Sequence, residues 1–149
     1  MSGFVFGPGE GQAHDFHGAS VVIKASGDDT LGQLGVMEFS YPPGLSVHPH
    51  VHAGEDEMFY VLEGELTGYC GDDRWTATAG SFVFVPRDCV HGFTVAGDGP
   101  ARAIVITGPP RLDRQIAARR SPPDNSQGGR PTRGAGGPGM ASEQRGRGA

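Results

Sequence analysis

The sequence predicts an all-β domain built as an antiparallel sandwich or barrel. Short runs rich in β-branched and aromatic residues recur along the chain, and clusters of glycine, proline and aspartate separate them. We predict about eight or nine short strands at regular spacing, with no helix between them, which is typical of such folds.

Each predicted strand ends at residues that stop or turn a strand. Pro42-Pro43-Gly44 halts one strand, and Gly71-Asp72-Asp73 is a hairpin signal between two others. The Gly-rich residues 1–20 are expected to be irregular. The predicted strands are 20–25, 34–41, 47–52, 57–63, 66–70, 74–78, 81–85, 91–95 and 101–107.

Charge divides the 149-residue chain into two parts. Residues 1–110 carry four basic and fourteen acidic side chains, whereas residues 111–149 carry eight arginines and three acids. The net charge of the whole chain is −5. We expect 1–110 to form one domain with an N-terminal arm. We expect 111–149 to be an Arg/Gly/Pro-rich tail, disordered apart from a possible short helix at 112–120.

Composition also excludes several classes of protein. The acidic body argues against nucleic acid as a partner of the folded domain. The number and spacing of the two cysteines exclude zinc fingers and thiol redox motifs. No apolar run approaches the ~20 residues of a membrane span, and there is no signal-peptide pattern, so we expect a cytoplasmic protein.

The stretch 44–64 carries the residues of greatest chemical interest. His48, His50 and His52 occupy alternate positions, so on a strand they share one face. The turn that follows would fold Glu57 back opposite the histidines. Imidazole and carboxylate groups that converge in this way are suited to a transition metal, so the stretch predicts a metal site.

Two separate motifs resemble those of the cupins. The first, G-x5-H-x-H-x4-E-x6-G, is matched without a gap by Gly44, His50, His52, Glu57 and Gly64. The second, G-x5-P-x-G-x2-H-x3-N, is matched by Gly80, Pro86 and His91. Asp88 replaces the glycine of the second motif and Val95 its asparagine, so the turn before His91 could differ in shape. The resemblance covers about residues 10–110.

This resemblance implies a double-stranded β-helix, the cupin or jelly-roll barrel. It also implies that His50, His52, Glu57 and His91 hold one divalent transition metal. Fe, Mn, Ni, Co, Cu and Zn all suit these ligands, and the affinity order alone does not choose among them. Four ligands in an octahedral field leave two positions for water or substrate.

Four further residues lie near the predicted ligands in the sequence. For His48 we weigh three interpretations: a group behind the ligands or lining the pocket, a solvent-exposed side chain, and a ligand in place of Glu57. Glu55 and Asp56 we interpret as solvated residues of the turn. Cys89 we interpret as a small buried side chain rather than a nucleophile.

Aromatic residues predict an apolar cavity above the metal. Phe39, Phe59 and Phe93 are expected to line it, and a flat hydrophobic molecule would suit such a pocket. On the strand that carries Glu57, Met58, Tyr60 and Leu62 form a second apolar face. A strand that is apolar on both faces is usually covered on both, so we predict a homodimer.

Within the cupins, residues 11–18 and 84–91 resemble segments of quercetin 2,3-dioxygenase-like proteins with a single domain. Small cupins that act as aromatic polyketide cyclases are also similar.

Three hypotheses follow. The first is a dioxygenase of a flavonol-like enol, in which Glu57 is both a metal ligand and the proton acceptor. The second is a zinc-dependent polyketide cyclase, which His48 as an added ligand would favour. The third is a non-catalytic cupin that binds a small molecule.

Overall fold

The structure, a computed structural model, describes residues 2–119 and consists almost entirely of antiparallel strands. The prediction of an all-β fold is confirmed. The elements are β1 (Gln12–Phe16), β2 (Ala19–Ala25), β3 (Gly35–Tyr41), β4 (Ser46–His50), β5 (Asp56–Glu63), β6 (Glu65–Cys70), β7 (Asp73–Thr78), β8 (Phe82–Val85), β9 (His91–Val95), β10 (Ala101–Gly108) and α1 (Leu112–Ala118).

Two sheets pack against each other. The larger has the strand order β1-β2-β3-β10-β5-β8, and the smaller has the order β4-β9-β6-β7. Strands far apart in sequence are neighbours: β10 lies between β3 and β5, and β9 lies between β4 and β6. This arrangement brings the two motifs of the sequence to the same end of the space between the sheets.

Strand β1 lies in the segment that we expected to be irregular. Its residues pair antiparallel with β2, from Gln12 opposite Ile23 to Phe16 opposite Ala19. The β1 sequence contains no β-branched residue, so its own strand propensity is weak. Pairing with the β-branched strand β2 makes this segment a strand.

The core fills the space between the sheets. Alternate residues of each strand point inward, as in β10, where Ala101, Ala103 and Val105 are fully buried. Helix α1 contributes Leu112 and Ile116 to the same core. Residues 111–119 are therefore attached to the barrel. The remainder of the predicted tail, 120–149, lies outside the described residues.

Strand β5 is apolar on both faces, and residues 2–119 cover only one of them. Its inward residues Phe59 and Val61 are buried, whereas Tyr60 is 47% exposed. Next to it on β8, Phe82 and Phe84 are 61% and 53% exposed and lie opposite Tyr60 and Met58. We call Met58, Tyr60, Phe82 and Phe84 the β5–β8 outer face.

No helix within residues 2–119 has the length and apolar character needed to cross a membrane.

Candidate metal centre

Four potential metal ligands come together from three strands and one loop. His50 ends β4 and lies directly opposite His91, the first residue of β9, in the smaller sheet. His52 follows in the loop after β4. Glu57 reaches the same point from β5 in the larger sheet, so the group lies between the two sheets.

The ligand atoms of the four side chains all lie within 4.8 Å of one another. Glu57 Oε2 is 3.0 Å from His91 Nε2 and 3.4 Å from His52 Nε2. His50 Nε2 is 3.1 Å from His52 Nε2. The structure thus brings together the four residues that the sequence predicts as ligands, and this group could hold a metal ion.

The far side of each imidazole ring has an oxygen as its hydrogen-bond partner. Nδ1 of His50, His52 and His91 lies 2.8, 2.8 and 2.9 Å from its partner. Each partner accepts a hydrogen bond, so Nδ1 carries the proton and Nε2 presents a lone pair to the centre. The three partners are the backbone carbonyl of His48, the Glu55 carboxylate and the backbone carbonyl of Cys89.

This pattern fits a divalent transition metal. Three Nε2 lone pairs and one carboxylate oxygen converge, and none of these atoms has a proton to donate to another when Glu57 is ionised. Two lone pairs only 3.1 Å apart, on His50 and His52, repel each other unless a cation lies between them. The donor set of imidazole nitrogen and carboxylate oxygen matches metals from Fe to Zn.

The pKa values of His50 and His52 also bear on metal binding. Burial lowers the pKa of His50, and the neighbouring imidazoles of His91 and His52 lower it further, so this ring is neutral near pH 7. Burial also acts to lower the pKa of His52, but the Glu55 and Glu57 carboxylates outweigh it and raise that pKa. The same carboxylates would attract a metal ion.

The interpretation of Glu55 as a solvated turn residue is wrong. Its side chain is only 2% exposed and accepts hydrogen bonds from His52 Nδ1 and from the backbone N–H groups of Arg111 and Leu112. Burial acts to raise the pKa of Glu55, but these hydrogen bonds lower it by more. The sequence gives no sign of this because two of the donors lie 56 and 57 residues later.

Asp56 is partly exposed, as expected, but it begins β5 and pairs with Arg87. The Arg87 backbone N–H and Nε donate to Oδ1 at 2.8 and 3.0 Å, and Nη2 donates to Oδ2 at 2.9 Å. These hydrogen bonds from Arg87 lower the pKa of Asp56 to about 2. The pair ties the start of β5 to the turn before β9.

Asp88 explains how the second motif tolerates the loss of its glycine. Its φ angle is +65°, in the left-handed region that the motif glycine would favour and that aspartate tolerates better than most residues. Its Oδ1 accepts a hydrogen bond from Gly54 N at 3.0 Å, and its own N–H donates to the His52 carbonyl at 3.0 Å. The turn therefore keeps a glycine-like shape and holds the loop that carries His52.

The side chain of His48 lies outside the group of four. The register between β4 and β9 shifts between Val47 and His50, so simple alternation does not place the His48 ring beside the ligands. The ring is exposed at the rim of the pocket, and Glu57 remains in the group. The contact of His48 with the site is its backbone carbonyl, which accepts from His50 Nδ1.

A cavity of about 890 Å³ opens above the four residues. Phe39, Phe59 and Phe93 line it, as the sequence predicts. The wall also contains residues that the sequence did not mark as lining residues, among them Phe16, Tyr41, Leu45, Arg111, Leu112 and Gln115. The cavity is therefore mostly apolar, with a few polar groups near its floor and rim.

Tyr41 is the most informative of these missed residues. Its ring stacks on Phe39 at 5.5 Å and meets Phe93 edge-on at 5.4 Å. Burial raises the pKa of Tyr41 well above its usual value, and the Glu57 carboxylate raises it further. The phenol therefore stays protonated and can donate a hydrogen bond. Its strand parity with Phe39 was the signal that could have identified it.

Comparison with known proteins identifies the domain. A family model described as a cupin domain matches residues 37–107, a span that contains all four potential ligands. Over these 71 of the 149 residues, the sequence matches a cupin domain. The match also confirms the resemblance drawn from the two motifs.

Solved structures confirm the cupin fold. KdgF from Halomonas sp. is 21% identical with a TM-score of 0.66, and the match covers 76% of this chain and 99% of that one. The polyketide cyclase RemF from Streptomyces resistomycificus is 23% identical with a TM-score of 0.64, and the match covers 74% and 82% of the two chains. At these identities the likeness concerns the fold alone.

A curated relative also shares sequence with part of this chain. Quercetin 2,3-dioxygenase from Bacillus subtilis (strain 168) is 32% identical over 71 residues, which are 48% of this chain and 21% of the relative. The match therefore spans only about one fifth of the length of that relative.

Proposed function

We propose that this cupin is a metal-dependent enzyme for a hydrophobic aromatic or enolic small molecule, and specifically a quercetinase-like dioxygenase. The observation that carries the proposal is a three-histidine, one-glutamate group at the floor of an aromatic-lined cavity. Similarity over 71 residues to a quercetin 2,3-dioxygenase supports it.

The ligands of the metal would be Nε2 of His50, His52 and His91 together with Glu57 Oε2. A divalent metal held there would supply Lewis-acid activation of a substrate oxygen and, for a redox-active ion, reactivity toward O2. The hydrogen bonds at the three Nδ1 atoms keep the rings oriented, so the protein need not rearrange its histidines to bind the ion.

Glu57 is proposed as the proton acceptor. An enolic hydroxyl that reaches the cavity floor would lie beside the Glu57 carboxylate, which can take up its proton. The protonated phenol of Tyr41 lines the same cavity and would donate a hydrogen bond to a substrate oxygen. The rings of Phe39 and Phe93 would hold a flat aromatic molecule and exclude water from the reacting groups.

A zinc-dependent polyketide cyclase is the alternative enzyme. His48 as an added ligand would favour it, but the His48 ring lies outside the group of four. This position makes the dioxygenase the better-supported proposal. A non-catalytic cupin would use the same cavity to bind a small molecule without turnover.

The decisive experiment combines metal analysis with an oxygen electrode. The full chain is loaded separately with Fe, Mn, Ni, Co, Cu and Zn and is mixed with the flavonol quercetin. We expect oxygen uptake that matches flavonol loss for at least one redox-active metal. Uptake should disappear in His91→Ala and persist in His14→Ala, a control histidine on β1 that belongs to neither the group of four nor the cavity lining.

Other outcomes would support the alternatives. Metal-loaded protein that consumes no oxygen with any of these metals contradicts the dioxygenase. Anaerobic cyclisation of an aromatic polyketide chain by the zinc form alone would indicate the cyclase. Tight flavonol binding without turnover, retained in His50→Ala and His91→Ala, would indicate a binding protein.

We further propose that a second copy of the chain covers the β5–β8 outer face. This patch contains Tyr60, Phe82 and Phe84, all large and exposed, and β8 is the edge strand of its sheet. Because the four side chains of the patch are uncharged, two copies can meet about a two-fold axis without repulsion. Sedimentation should show a dimer for the native chain and a monomer for Phe82→Ser/Phe84→Ser. A native chain that is still a monomer at about 100 μM would contradict a stable dimer.

A further inference from the structure

Glu55 lies between the candidate metal centre and helix α1, and its two oxygens serve different partners. Oε1 accepts the hydrogen bond from His52 Nδ1 at 2.8 Å. Oε2 accepts from the backbone N–H groups of Arg111 and Leu112, where α1 begins. One buried carboxylate therefore accepts hydrogen bonds both from a ligand histidine and from the first backbone amides of a helix.

Only a carboxylate can satisfy these three donors. Ionised glutamate has two acceptor oxygens, whereas glutamine has one oxygen and one NH2 group. A glutamine at position 55 that keeps its oxygen toward the Arg111 and Leu112 amides would turn its NH2 group toward His52 Nδ1. His52 would then have to carry its proton on Nε2 and would lose the lone pair that faces the centre.

Helix α1 is also a wall of the cavity. Leu112 and Gln115 of the helix line the cavity together with the N-cap residue Arg111. Ile116 anchors the helix because its side chain is fully buried in the core. A second contact joins the same elements, since Arg111 Nη1 donates to the Ala53 carbonyl at 3.0 Å in the ligand loop. The start of α1 is thus attached to the loop that holds His52.

We propose that Glu55 is a positioning residue that couples metal binding to the docking of α1 against the pocket. With α1 docked, its two amides hold Glu55 in place, and Oε1 keeps His52 in the tautomer that can bind a metal. With a metal held on Nε2, His52 would donate a stronger hydrogen bond from Nδ1–H to Glu55, and Glu55 would hold α1 more firmly. Coupling between two sites is reciprocal. If metal binding stabilises the docked helix, loosening α1 must weaken metal binding by the same coupling free energy.

This inference rests on the metal binding proposed above, and the test separates the two. The probe is Co2+ alone, added to the full chain. Calorimetry measures its affinity, and hydrogen exchange measures protection of residues 111–119 with and without the ion. For the native chain we expect Co2+ binding and slower exchange of this segment when the ion is bound.

Glu55→Gln should weaken Co2+ binding about 10- to 100-fold and abolish the protection of residues 111–119 by the ion. The matched control is Glu65→Gln, the same change at an exposed acid on β6, and it should alter neither quantity. Ile116→Ala provides a second route, because it loosens α1 without touching Glu55 or a ligand. It should weaken Co2+ binding at least about threefold in a chain whose circular dichroism is native.

The outcomes are distinct. A native chain that binds no Co2+ overturns the metal site itself. A native chain that binds Co2+ without any change in exchange of residues 111–119 overturns the coupling alone, as does unchanged affinity in Glu55→Gln. If Glu55→Gln does not fold, Ile116→Ala decides, and native Co2+ affinity in that variant overturns the coupling.

Discussion

Asp88 allows the backbone shape of the second cupin motif to be separated from its hydrogen bonding. The residue combines a φ angle of +65° with a carboxylate that accepts from Gly54 N. Glycine at this position keeps the conformation and loses the hydrogen bond. Alanine loses both, and asparagine keeps an acceptor oxygen together with a tolerance for the left-handed region.

The expected free energies of unfolding follow from these two contributions. Losing the hydrogen bond to Gly54 costs about 1 kcal/mol. Alanine adds about 1 kcal/mol for the left-handed conformation, so Asp88→Ala should destabilise the protein by about 2 kcal/mol. In Asp88→Gly, relief of backbone strain roughly offsets the greater entropy of the unfolded chain, which leaves a loss of about 1 kcal/mol. Asp88→Asn should lose about 0.5 kcal/mol or less.

Urea denaturation of the metal-free proteins, followed by tryptophan fluorescence and circular dichroism, measures these differences. The expected order of stability is native, then Asp88→Asn, Asp88→Gly and Asp88→Ala. The reasoning is refuted if Asp88→Ala is as stable as Asp88→Gly, because the left-handed backbone would then contribute nothing. Equal stability of the native and glycine forms would refute the contribution of the hydrogen bond to Gly54.

Three further predictions concern other positions. In Arg87→Ala the pKa of Asp56 should rise from about 2 toward its ordinary 3.8, as carboxyl NMR titration would show. Because the native pKa is depressed, this pair stabilises the fold above pH 3.8 and loses that effect as pH falls toward 2; an unshifted pKa in the variant contradicts this. Burial and the neighbouring Cys89 raise the pKa of Cys70 to about 11, so iodoacetamide at pH 8 should modify it about 100-fold more slowly than a free thiol. Alkylation of Cys70 at the rate of a model thiol would argue against that environment. Gly64→Ala should destabilise the protein by at least about 2 kcal/mol, because φ is +80° and an added Cβ would collide with a backbone carbonyl. A melting temperature within about 2 °C of that of the native chain would contradict this prediction.

The metal ligands could be predicted from sequence because their geometry depends on local spacing and on a recurrent pairing of strands. His50 and His91 meet because β4 and β9 are neighbours, and Glu57 meets them because β5 faces that pair across the core. These relations belong to the fold, and the two motifs record them in their spacing.

The surroundings of the ligands could not be predicted in the same way. The role of Glu55 depends on amides that are distant in sequence, and no local pattern marks a turn acid that will be buried by a later helix. The position of His48 depends on a register shift within β4, which alternation cannot reveal. Tyr60 and Phe82 show a related difficulty, because an apolar pattern predicts that a face will be covered without identifying what covers it.

The central claim is that His50, His52, Glu57 and His91 together hold one divalent metal ion. The most direct test is the Co2+ stoichiometry and affinity of the native chain, His91→Ala and the control His14→Ala, each checked for native circular dichroism. We predict one ion per chain in the native and control proteins and at least about 100-fold weaker binding in His91→Ala. Native affinity in His91→Ala, or an equal loss in His14→Ala, would contradict the claim.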